Sequence, residues 1–124
     1  MRVFKNAWFR RFARKERISD RDLREAVSRA EAGQIDADLG GGVIKQRVAR
    51  SGQGRSKGFR TIILFRQRER AFFVYGFAKS DRASLRQDEE TAFKEAANHV
   101  LYLSDEQLEA LIARDHFEEV DDNG

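Results

Sequence analysis

A chain of 124 residues fits one folded domain better than two. It is 40% hydrophobic and 36% charged and has no cysteine, which excludes disulfides, thiolate nucleophiles and cysteine-based zinc sites. Apolar runs such as Ile62–Phe65 are too short for a transmembrane helix, and charge replaces the apolar stretch of a secretory signal. No membrane partner is expected, and the expected setting is the cytoplasm.

The net charge of +3 hides a division. Residues 1–80 carry 20 Lys/Arg against 8 Asp/Glu, a balance of +12, whereas residues 81–124 carry 4 against 13, a balance of −9. Between Val43 and Ser80 ten basic residues face only Glu69. A segment of this kind attracts phosphates, and its grip should weaken steeply with salt.

Met1–Phe4 is a candidate short strand. Trp8, Phe9 and Phe12 then recur at helical spacing and predict a helix over Lys5–Glu16. Ser19 with Asp22 caps a second helix, whose stripe of Leu23, Ala26, Val27 and Ala30 ends at Gly33. Gly40-Gly41-Gly42 breaks the helical period. Val43–Arg50, Phe59–Arg66 and Arg70–Ala78 read as an antiparallel meander, with a Gly/Ser-rich loop over 51–58 and a turn at Gln67–Glu69. From about Gln87, Ala92, Phe93, Ala96, Ala97, Val100 and Leu101 form a helical stripe. Ser104 with Gln107 opens a last helix carrying Leu108, Leu111 and Ile112, and an acidic tail over about 117–124 is expected to fray. The predicted fold is α+β, one domain over 1–124. Two N-terminal helices pack on a small antiparallel sheet, (β)ααβββ, of at most four strands, followed by C-terminal helices. These acidic helices are expected to pack away from the basic sheet and leave it open.

Strand alternation puts Lys45 and Arg47 on one face, Arg60 with Ile62, Leu64 and Arg66, and Phe73 with Tyr75, Phe77 and Lys79. Cations interleaved with aromatic rings suit single-stranded RNA, phosphates pairing with Arg and Lys while bases stack on rings. Phe73 and Phe77 read equally as core, and the Tyr75 hydroxyl needs a partner or water. Other chemistries find less support. Asp20/Asp22, Asp36/Asp38 and Asp88–Glu90 read as caps and solvated charges, and His99 and His116 have no partners for a catalytic triad. The glycine triplet matches no phosphate-binding fingerprint. Neither a metal nor a cofactor is expected.

The run from Leu39 through the glycine triplet, the basic strand Val43–Arg50, the Lys/Arg-bearing loop, the opening Gly58-Phe59-Arg60 and the ending Phe77-Ala78-Lys79 carries a resemblance. Over about Met1 to Val100 it resembles the RelE/HigB toxins of type II toxin–antitoxin systems, in the RelE/ParE superfamily. The resemblance implies a metal-independent, ribosome-dependent mRNA endonuclease that inhibits translation and is held inactive by an antitoxin, of helix-turn-helix type. In that family the ribose 2′-hydroxyl attacks the adjacent phosphate and leaves a cyclic phosphate. Carried over, Lys45, Arg47, Lys57, Arg60 and Lys79 would hold the scissile phosphate, with Arg47, Lys57, Arg60 and Lys79 catalytic; beside this carry-over, Lys45, Arg50, Arg55, Tyr75 and Phe77 are the expected RNA contacts. The stretch Lys79–Gln87 lacks the His or Tyr found there in several relatives, so the proton-transfer groups are unassigned. Two alternatives remain: a ParE-like inhibitor of DNA gyrase, and an RNA- or antitoxin-binding domain that does not cleave.

Overall fold

The computed structural model describes residues 1–50 and 54–121, with side chains from Gly58 onward in the second stretch. Its elements are β1 (Arg2–Asn6), α1 (Ala7–Glu16), α2 (Asp20–Glu31), β2 (Ala37–Gly40) and β3 (Val43–Arg50). There follow β4 (Gly54–Arg66), β5 (Arg70–Ala78), α3 (Gln87–Val100), α4 (Asp105–Ala113) and β6 (Phe117–Glu119). The fold is α+β, with the helices on both faces of a sheet ordered β2-β3-β4-β5-β1-β6.

The sheet departs from expectation in four ways. It has six strands where at most four were expected, and it is mixed, because β1 runs parallel to β5. The two unforeseen strands lie at its edges and are short. β2 closes on β3 through the glycine turn, and β6 pairs antiparallel with β1. The sequence Phe-Glu-Glu is a poor strand by composition, yet Arg2 holds Glu119 at 2.9 Å and the Lys5 ammonium lies 3.7 Å from Glu118. The tail is therefore packed through Val120, which is 1% exposed, and is not frayed over 117–121. β4 begins at Gly54, inside the segment read as a loop, of which 51–53 lie outside the described residues.

Local signals set the helices as expected. Asn6 accepts from the Phe9 N–H at 2.8 Å to start α1, and reciprocal Ser19/Asp22 and Ser104/Gln107 capping boxes start α2 and α4. Helices α1 and α2 bury Phe9, Leu23, Ala26 and Val27 against Ile44, Val48, Phe59, Ile63 and Phe73. On the opposite face Ala97, Val100, Leu101 and Leu108 cover Phe4, Val43, Ile62, Leu64 and Phe72. Each fully buried Leu, Ile or Phe contributes roughly 1.5–3 kcal/mol, so the acidic C-terminal helices are drawn onto the sheet instead of away from it. No helix among the described residues is long and apolar enough to cross a membrane.

A bulge changes which aromatic rings share a face. Ile62 pairs with Tyr75 but Ile63 with Phe73, so Val74 is an extra residue in β5. One inserted residue reverses the alternation beyond it. Phe73 consequently enters the core under α1, while Tyr75 and Phe77 turn to the other face, contrary to the simple alternation that grouped all three. The Asn6 amide donates to the Val74 carbonyl at 3.2 Å and so joins the bulge to the α1 cap.

Candidate nucleic-acid interface

The C-terminal helices cover only part of their face. Beyond Ile62 the register across the sheet runs Ala37, Lys45, Ile62, Tyr75 in one row and Arg47, Arg60, Phe77 in the next. Residues in register on neighbouring strands stand about 5 Å apart, so side chains of one row reach a common centre. They frame a cleft of about 440 Å³, lined by Asp36, Ala37, Lys45, Arg47, Arg60 and Lys79. Lys45, Arg47, Arg60 and Lys79 are four of the residues singled out from the sequence.

The placement of Arg60 is fixed by its backbone. Gly58 passes so close to β3 that a Cβ there would meet the Val48 carbonyl oxygen at 2.0 Å, and Phe59 is buried in the core beside α1. Alternation then points Arg60 into the cleft, where its Nη1 is buried and has no hydrogen-bond partner among the described residues. Buried polar groups are nearly always paired, and an unpaired donor on a cation calls for an anion. That unpaired donor, among three other cations, is the main electrostatic feature of the cleft.

Asp36 is the acidic residue on the cleft wall. Gln46, fully buried beneath it, accepts the Asp36 N–H at 2.9 Å and donates to the Ala26 and Gln34 carbonyls. The carboxylate's Oδ2 accepts the Arg47 N–H at 2.7 Å and lies 3.6 Å from Arg29 Nη1. Its Oδ1 stands 3.8 Å from Arg47 Nε.

The aromatic side of the cleft is organised by Arg82. Its guanidinium lies 5.7 Å from the centre of the Tyr75 ring and 5.6 Å from that of Phe77. It donates to the Tyr75 hydroxyl at 3.1 Å and to both oxygens of Glu89. Donation from Arg82 and from the Arg86 N–H holds the Glu89 carboxyl at a pKa of about 2, and the hydrogen bonds to Glu89 and to the Tyr75 hydroxyl raise that of Arg82. Tyr75 also packs 4.5 Å from Trp8, and Phe77 is only 4% exposed. The rings are therefore covered by a guanidinium plane and do not lie bare on the sheet.

The other expected residues fall elsewhere. Arg50 lies over the Phe59 ring at 5.1 Å, on the α1/α2 side of the sheet and away from the cleft. The side chains of Arg55 and Lys57 lie outside those described. Sequence reasoning missed Asp36 and Arg82 as members of the site. The alternation of Asp36-Ala37-Asp38-Leu39 was the available signal for the first. For Arg82 there was only its position just after β5.

A sequence model of the family described as "RelE toxin of RelE / RelB toxin-antitoxin system" matches residues 1–120. No individual curated protein matches the chain.

Proposed function

We propose that this chain, which belongs to the RelE toxin family and is thus a toxin of a toxin–antitoxin system, inhibits translation by cutting mRNA on the ribosome without a metal. The observation that carries the reading is the buried, unpaired Arg60 Nη1 in a cleft shared with Lys45, Arg47 and Lys79. A scissile RNA phosphate would satisfy that donor. When the neighbouring 2′-hydroxyl attacks, negative charge grows on the equatorial oxygens, and fixed cations stabilise it more than they stabilise the ground state. One contact of this kind is worth about 2.7–4 kcal/mol of activation free energy. The guanidinium of Arg82 offers a flat surface on which a base adjoining that phosphate can stack, with Tyr75 and Phe77 supporting it from below. Lys57 and Arg55, on the strand leading to Arg60, are further RNA contacts in this reading, and Arg50 would touch only a strand that wraps the sheet. The site of action is the cytoplasm, and the partner is a RelB-type antitoxin, here of helix-turn-helix type, that covers the cleft with acidic residues.

Arg60 decides between phosphate recognition and an incidental charge. A guanidinium that forks onto a phosphate is not replaced by an ammonium, so Arg60→Lys should fail as Arg60→Ala does. Both variants should relieve growth arrest by at least 100-fold in survival and still fold and bind antitoxin, whereas Arg21→Ala, exposed on α2, should arrest growth fully. Mapping of mRNA 5′ ends after induction, with and without translation, checks the activity. Growth arrest with uncut mRNA would instead indicate a gyrase inhibitor or a binding domain that does not cleave.

A further inference from the structure

We infer that Asp36 is the general base of the cleft, the group that takes the proton from the attacking 2′-hydroxyl. The inference rests on the RNA-cleaving reading above and adds the proton acceptor that the four cations cannot supply. At neutral pH lysine and arginine side chains are protonated and have no lone pair to offer. Among the described residues that line the cleft, Asp36 is the acidic one.

Its geometry separates two duties between two oxygens. Oδ2 is anchored by the Arg47 N–H at 2.7 Å with Arg29 behind it. Gln46, buried and itself bonded to two carbonyls, fixes the Asp36 backbone from below. Among the described residues Oδ1 makes only the long 3.8 Å approach to Arg47 Nε, which leaves it able to accept a hydrogen bond from a ligand in the cleft. A carboxylate held rigidly by one oxygen and presenting the other is arranged for proton transfer.

The opposite wall completes the arrangement. Asp36 precedes β2, and Lys79 follows β5, so the two stand on either side of Arg47 and Arg60 on the strands between them. Both residues line the same cleft of about 440 Å³, which has room for a phosphodiester between them. In the step, the 2′-hydroxyl proton passes to Asp36 Oδ1 as the O2′–P bond forms. The P–O5′ bond breaks, and the departing 5′-oxygen takes a proton from the Lys79 ammonium. The products are a 2′,3′-cyclic phosphate and a free 5′-hydroxyl, and proton exchange with water restores both residues.

The test is single-turnover cleavage of ribosome-bound mRNA by the wild-type chain, Asp36→Asn and Asp36→Glu, measured from pH 4.5 to 8. Asparagine keeps an oxygen for the Arg47 N–H, so thermal melting and the affinity for a 2′-deoxy-substituted mRNA should stay within twofold of wild type. The cleavage rate of Asp36→Asn should fall at least 100-fold across this range. Asp36→Glu, which restores a carboxylate, should cleave at an intermediate rate. An Asp36→Asn protein that cleaves within threefold of wild type overturns the assignment while leaving the cleaving activity in place. A wild-type chain that cuts no mRNA under any translating condition overturns both.

Discussion

Arg82 and Glu89 show how one ion pair can hold a recognition surface in shape. The guanidinium is held over two rings because a carboxylate on α3 and the Tyr75 hydroxyl accept from it on one edge while the Ser84 carbonyl accepts from its Nε on the other. Glu89 has a folded-state pKa of about 2 against an ordinary 4.5. A lowered pKa means that the unfolded chain binds the proton more readily, so the contribution is complete above about pH 4.5 and is lost as pH falls toward 2. Glu89→Gln should therefore flatten that part of the acid-unfolding curve, measured by circular dichroism against wild type. It should leave the slope near pH 7 unchanged. This pair was invisible in the sequence because a seven-residue separation across a loop has no periodic signature. The cations of the cleft were visible because strand alternation gathers Lys45 with Arg47 and aims Arg60 with Ile62 whatever the rest of the sheet does.

Elements with a strong internal rhythm were legible, and those defined by their neighbours were not. Helices α1 and α2 declare themselves by apolar stripes and by caps at Ser19 and Gly33, and β3 and β4 by alternation. Strands β2 and β6 are four and three residues long and owe their existence to pairing with β3 and β1. The Val74 bulge was hidden for a related reason: every residue from Ala71 to Phe77 except Gly76 is apolar or aromatic, so no polar position marks the phase. Gly76 records the consequence. It lies opposite Thr61 under α1, where a Cβ would meet the Phe12 ring at 2.6 Å. Gly76→Ala should thus cost about 1–3 kcal/mol by overpacking. Adding Phe12→Leu should recover part of the loss, a coupling that a double-mutant cycle in urea would detect.

For the molecule as a whole, the division of charge and the two-sided core assign different work to the two halves. The acidic half buries its apolar stripe on the sheet and carries the partners of the N-terminal cations, while the basic half keeps its charge for the cleft. Arg2 reaches Glu109 at 2.8 Å and Glu119 at 2.9 Å, and Arg24 donates to the Val120 and Asp121 carbonyls. A chain ending at Ala113 would lose β6 and Val120, leaving β1 as an open edge with Lys5 short of Glu118. Such a truncation should melt at a lower temperature and aggregate through that edge, as followed by light scattering. The pairing of β1 with both β5 and β6 also bears on the order in which the chain is made. Strand β1 has its neighbours at residues 70–73 and 117–119, so it waits without a partner while the segments between are made. Contacts this far apart in sequence form late and slowly. The sheet is thus closed only when β6 leaves the ribosome, and a nascent chain that stops short of it has no finished scaffold.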